Sequence, residues 1–476
     1  MSRTRRAASL VAILTVAAVA ALVDRRVERP PLDVAAEVRV PAQARAEAGS
    51  SAWYCVGANA DEGGLARGTV VVANAGDGEV TATVTAISDS QAPTTATLAV
   101  PARGRAELAL ADLVTASHVS AVVELDRGSA VVEMAAEGSL GETVTPCASA
   151  ASSEWYFADG VTARDAREVL TLLNPFPDDA LVDLRFATED GTVTPEALTG
   201  VTVRGRSLLA LEIGEFVPRR ESVAASVSTR TGRLVVGRRQ SFDGSIDRRG
   251  MALSLGATSV AEGWYLPEGL ALDGLEERFQ IFNPGREEAR VELDVVLDEG
   301  EAEPILLSVP PESQVSVVAN NEARIPPGIG HALHLTATNG VGVVVERRIV
   351  GAGGVGRQGL AITAGAVVAT ERWVAAAGSI DPDHDHAVAV QNPGTRAATV
   401  SFTALVGRAA LVPGLEAVEV PPGARRVVRL GDHGVAGPTA VLVEADEPVV
   451  VERDVFRRQE LGLAMAMAVP LEASGG

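Results

Sequence analysis

The chain is 476 residues long, 47% hydrophobic and 22% charged, so it has the apolar content to fold and the length for more than one core. Its 62 acidic and 41 basic residues leave a formal charge of -21, which repels phosphate backbones and excludes nucleic acid as an expected partner.

Residues 1–26 read as a signal anchor or signal peptide. Arg3, Arg5 and Arg6 precede an uncharged apolar run from Ala7 to Val23, and Arg25 and Arg26 follow it. The run is long enough for one transmembrane helix, and the arginine-rich end is expected to stay cytoplasmic. Ala18-Val19-Ala20 also satisfies the small-x-small rule for cleavage. The expected location is therefore the cell membrane, single-pass with the C-terminal domains outside the cytoplasm, or secreted if the leader is removed. Residues 27–50 read as a linker.

The rarest residues then expose an internal period. The four tryptophans, Trp53, Trp155, Trp264 and Trp373, are 102, 109 and 109 residues apart, and the three tyrosines, Tyr54, Tyr156 and Tyr265, each follow one of them. The period divides the chain into four β repeats of about 105 residues, at 51–150, 151–260, 261–370 and 371–470. A second landmark is an apolar strand ending in asparagine: Asn74, Asn174, Asn283 and Asn392, the last three followed by proline. An asparagine side chain caps such a turn while proline fixes φ. The strand after the turn alternates, as where Val291, Leu293 and Val295 share one face.

A third landmark is a valine-rich strand ending in charge, Val344-Val345-Glu346-Arg347 and Val450-Val451-Glu452-Arg453, with weaker copies at Val235-Val236-Gly237-Arg238 and Val131-Val132-Glu133-Met134. These glutamate–arginine ends are expected either to pair with neighbouring loops or to be solvated. Last comes a glycine-led strand, as at Gly250, Gly359 and Gly462. Seven or eight strands per period predict an all-β fold of Ig-like β-sandwiches strung like beads, the alternative being a β-propeller with two blades per repeat. The four tryptophans and four asparagines are the expected structural anchors. Cys55 and Cys147 lie near the two ends of the first repeat, and an even pair in an exported chain predicts a disulfide.

The Trp-Tyr-x-x-x-Gly start, clearest at Trp155-Tyr156-Phe157-Ala158-Asp159-Gly160 and Trp264-Tyr265-Leu266-Pro267-Glu268-Gly269, together with the Asn-Pro-Gly and Val-x-Glu-Arg partners, resembles an actinobacterial family of exported proteins labelled a domain of unknown function. The resemblance covers residues 50–470. It implies one N-terminal membrane segment and extracytoplasmic β domains, with no activity or catalytic residues to carry over.

Several candidate sites remain. Gly351-Ala352-Gly353-Gly354-Val355-Gly356, with Glu371, matches a dinucleotide fingerprint, but the apolar run that follows reads as a strand where that fingerprint needs a helix. Asp381, Asp383, His384, Asp385 and His386 are the densest set of metal-ligand side chains, yet they lack the glycine and distal glutamate of a calcium loop and read as a solvated acidic loop. Three residues of separation on a strand put His331 and His334 on opposite faces. No nucleophile elbow, zinc-protease helix or phosphate loop occurs, so no catalytic, cofactor-binding or metal-binding residue is assigned. The expected function is a non-enzymatic scaffold or interaction protein contacting an envelope protein or polymer. One alternative is a carbohydrate-binding module array with exposed Trp155 and Trp264, and another is a cryptic hydrolase near Asp381 to His386.

Overall fold

The computed structural model describes residues 40–46, 48–352 and 356–472. The predicted leader at 1–26 and most of the linker lie outside them. Among the described residues the chain is all-β: 37 strands and five short 3-10 turns, with no α-helix, no helix long and apolar enough to cross a membrane and no closed barrel.

The strands group in chain order as four sheet pairs, six separate four- or five-stranded sheets in the first three and, in the fourth, two sheets joined through a shared strand into one of ten strands. The second pair shows the pattern. One sheet is ordered Glu154–Phe157, Val223–Thr231, Ala180–Thr188 and Thr199–Val203; the other is ordered Ser207–Glu212, Ala166–Asn174, Val235–Asp243 and Arg249–Leu255. All neighbours are antiparallel. The same order recurs in the first pair (Ser51 to Pro146) and the third (Gly263 to Ala364). In the fourth pair one 18-residue strand, Ala440–Arg457, runs through both sheets in place of two separate strands.

Period-two alternation explains which face each strand buries. In Ala180–Thr188, Val182, Leu184 and Phe186 point inward while Asp183 and Arg185 point out. Trp155, Leu184, Phe186 and Val227 from one sheet join Leu170, Leu172 and Val236 from the other in one buried apolar cluster. The side chains of Asn74, Asn174, Asn283 and Asn392 close four equivalent turns. Each Nδ2 donates to the carbonyl four residues ahead, at Gly78, Asp178, Glu287 and Arg396, and to a second carbonyl at or just past the end of a neighbouring strand, at Pro101, Val203, Val309 and Val420. Each Oδ1 accepts from the amide two residues ahead.

The pairs are not separate beads; Val40 onward forms one compact unit. The four glycine-led strands, Gly141–Pro146, Arg249–Leu255, Gly359–Ala364 and Leu463–Met467, pack on one another in cyclic order, so the fourth pair meets the first. Glycine permits this approach: a Cβ on Gly250 would stand 2.4 Å from the Leu360 backbone nitrogen. Apolar clusters fill the seams, with Val161, Phe242 and Ala252 against Val350, Leu360 and Ile362, and Leu275, Ile349 and Ala361 against Phe456, Leu463 and Met465.

The chain also closes on itself. Ala44–Arg45 pairs in parallel with Leu471 and Glu472, and the same C-terminal strand pairs with Trp373 and Val374. The Gln43 amide donates to Ser149 Oγ, and the Ser149 amide to the Pro41 carbonyl, which ties the first residues of the unit to the end of the first sheet pair.

Candidate functional site

The four tryptophans are buried, at 0 to 3% exposure. Their indole Nε1 atoms donate to Leu234, Val343 and Val449 carbonyls in the last three sheet pairs, and to Ser51 Oγ in the first. A sugar-stacking role that needs exposed Trp155 and Trp264 rings is thereby corrected: strand alternation turns both indoles into the core and the adjacent Tyr156 and Tyr265 outward. Cys55 and Cys147 form a disulfide joining the two ends of the first sheet pair.

The glutamate–arginine ends of the valine-rich strands are not solvated: Arg238 and Arg453 donate to the Asp159 and Ala377 carbonyls in loops of their own sheet pairs, and the charges also interlock neighbouring pairs. Arg238 of the second pair reaches Glu346 of the third, with Nη1–Oε2 at 3.1 Å and Nη2–Oε1 at 3.0 Å. Arg347 of the third binds Glu452 of the fourth, and Arg453 of the fourth binds Glu133 of the first at 2.6 Å, across the seam no peptide bond spans. All six side chains are within 1% of full burial.

Each carboxylate is further held by backbone amides of the preceding pair: Glu346 by Asp159, Glu452 by Glu268, and Glu133 by Ala376 and Ala377. Burial pulls the Arg238 guanidinium down, but Glu346, Asp159 and Glu168 together outweigh it and hold its pKa above the ordinary value. At each of these three seams the arginine comes from one sheet pair and the glutamate from the next, so the contact has a direction around the molecule. The fourth seam differs: Met134 stands where an arginine would, Gly237 stands where a glutamate would, and Val56 packs against Gly237.

A second layer of titratable groups lies behind the arginines, six residues before each asparagine, at Glu168, Glu277 and His386; the first pair has Gly68 there. Both Glu168 oxygens lack a hydrogen-bond partner, and burial pushes its pKa up to about 8. Glu277 is 3.0 Å from His331 Nε2, and despite burial His331 and Arg347 hold its pKa below the ordinary carboxylate value. His386 is fully buried with neither ring nitrogen bonded, and burial with Arg453 nearby pushes its pKa down to about 3.

The remaining sequence candidates are dispersed. His384 Nδ1 lies 2.9 Å from Asp381, and its Nε2 lies 3.3 Å from Glu142 of the first pair, lining a 280 Å³ cavity at the closing seam. Among the described residues no three His, Cys, Asp or Glu side chains converge as a metal-ligand set. His334 is on the outer face, stacked on Tyr265, while His331 is inside. Of the Gly351 to Gly356 loop, residues 353–355 lie outside the described chain; the strand Gly359–Ala364 follows, and Glu371 sits in the strand Thr370–Ala375. The arginine-to-glutamate pairing was missed in sequence because the partners are 105 to 320 residues apart. The period itself was the usable signal, since matched charges recur at one position of each copy.

A model for a family of unknown function, DUF5719, matches residues 125–326, so the chain is similar to an uncharacterised family over the second sheet pair and parts of its neighbours. No curated protein matches. Solved structures are also similar to this chain, among them the following three. The Thermotoga maritima protein 1070 is 18% identical over 23% of this chain and 95% of its own, with a TM-score of 0.21. The Anabaena sensory rhodopsin transducer is 26% identical over 19% of this chain and 88% of its own, with a TM-score of 0.17. A tetra-tandem repeat from the extending region of a large adhesion protein is 11% identical over 89% of this chain and all of its own, with a TM-score of 0.10. Scores this low carry no argument about fold or function.

Proposed function

We propose that this chain is an extracytoplasmic scaffold: four tandem β-sandwich repeats locked into a ring, held at the membrane by the N-terminal leader, presenting loops and sheet edges to an envelope protein or polymer without catalysing a reaction. The observation that carries the reading is the set of three buried arginine–glutamate locks, one of them closing the fourth pair onto the first, which uses the buried polar groups to join the units into a frame. The disulfide suits an oxidising compartment. The net charge of -21 favours a soluble, outward-facing surface.

The test uses the full chain with its leader and a C-terminal epitope in intact cells. External protease should remove the epitope without lysis, and crosslinking in the same cells should join the chain to an envelope component. An epitope protected until the membrane is broken would overturn the location, and recovery of the chain alone after crosslinking would overturn the scaffold role.

A further inference from the structure

The outward face of the second sheet pair carries a trough floored by two serines. On the central strand, Ser226 and Ser228 face outward. Register places Ser226 between Tyr156 and Arg185, and Ser228 between Glu154 and Asp183. Two small side chains thus lie between two rows of tall ones, about 10 Å apart at two strand spacings. The third sheet pair supplies a wall with Phe282, Pro284 and Glu312, and the resulting cleft measures 420 Å³, within the roughly 300–1,000 Å³ of small-molecule sites. Arg185 spans the seam to Glu312 at 2.5 Å, and Arg230 holds Asp183 through two bonds of 2.6 and 2.7 Å.

In the other pairs a larger side chain stands at this place, and in the fourth it borders a 480 Å³ cavity with an apolar Leu442 in place of the serine. In the third, the residue registered between Tyr265 and Asp294 is His334, whose imidazole stacks on the Tyr265 ring at 4.4 Å between centroids and 8° between planes. In the first it is Val122, and in the fourth Leu442. The third pair therefore shows what this position accepts, a flat ring lying on the tyrosine, and the second pair has a serine where that ring would be.

The geometry points to a saccharide-binding site in this cleft, with one sugar ring stacked on Tyr156 in the space that His334 occupies in the third pair. Its hydroxyls are matched by Ser226, Ser228, Thr192 and Thr199 and by the paired charges Asp183–Arg230 and Arg185–Glu312. A pyranose offers an apolar C–H face to an aromatic ring and hydroxyls around its edge, and the trough has an aromatic ring on one side with donors and acceptors around it. The site uses the tyrosines, not the buried tryptophans, and its existence does not depend on the scaffold reading.

The experiment is calorimetric titration of the full chain with neutral hexose and N-acetylhexosamine trisaccharides. At least one should bind saturably. Tyr156→Ala and Ser226→His should each weaken it at least tenfold, the second by reproducing the histidine plug of the third pair and hence with an unchanged melting curve, while Tyr265→Ala should leave binding unaltered. Failure of every trisaccharide to bind, or undiminished binding by a folded Ser226→His protein, would overturn the proposal. So would binding of indole in competition with the sugar at the same affinity in wild type and Ser226→His.

Discussion

Three seams of the ring join through a buried guanidinium and carboxylate, whereas the seam between the first and second sheet pairs has Met134 and Gly237 at those positions, with Val56 packed on the glycine. Both departures fall on the same seam. A lone arginine at 134 or a lone glutamate at 237 would be a buried, uncompensated charge, so one partner is not lost without the other. The comparison teaches that the contact needs complementarity more than it needs charge, because apolar packing can replace a buried ion pair of similar volume.

The strongest way to break that comparison is to convert the closing seam to the chemistry of the uncharged one. Arg453→Met leaves Glu133 buried without its guanidinium and should cost about 3–5 kcal/mol in denaturant unfolding, as should Glu133→Ala, which strands Arg453. The double variant should recover at least half of either loss. A double variant as unstable as the two singles added together would show that the charges contribute independently and that the fourth seam is a different kind of contact.

An effect of comparable size, confined to high pH, sharpens the difference between Glu168 and the Gly68 that holds its place in the first pair. The folded pKa of Glu168, about 8, lies above its ordinary value of 4.5, so the folded protein keeps a proton that the unfolded chain releases. Stability from this group is full below about pH 4.5 and falls as pH rises toward 8, at up to ~1.4 kcal/mol per pH unit. Glu168→Gln should flatten that slope and be more stable than wild type at pH 8.5. Denaturant midpoints at pH 5 and 8.5 decide it, and equal slopes in the two proteins would refute the assignment.

The smallest effect concerns a feature shared by all four pairs. Asn283→Ala removes three side-chain hydrogen bonds at its turn and should cost about 1–3 kcal/mol, and Asn74→Ala should cost a similar amount despite the divergence of the first pair. A larger loss for Asn74→Ala in thermal unfolding would show that the fourth side-chain bond at this turn, donated by the Ser129 hydroxyl to Asn74 Oδ1, adds to it, and a smaller loss would show that the first turn is held by contacts outside the asparagine.

The candidate site was only partly legible in sequence. Ser226 stands out once it is aligned with His334, but alignment alone does not show that both face outward beside a tyrosine. Register across three strands is needed for that. The acidic stretch from Asp381 to His386 looked like a cluster because its residues are adjacent, yet strand alternation turns Asp385 to the opposite face, and His386, two residues further along the strand than the cavity-lining His384, is fully buried.

By itself the sequence determined what local chemistry determines. Alternation made the strands, asparagine side chains closed the turns, and the two cysteines sat at the ends of one unit where a disulfide can bridge them. Only the tertiary structure decided which arginine meets which glutamate, that the last sheet pair returns to the first, and that the units are one body and not beads. Those outcomes depend on how the glycine-led strands pack around one another. A strand pattern records which face of a residue is buried but carries no term for the neighbour that buries it.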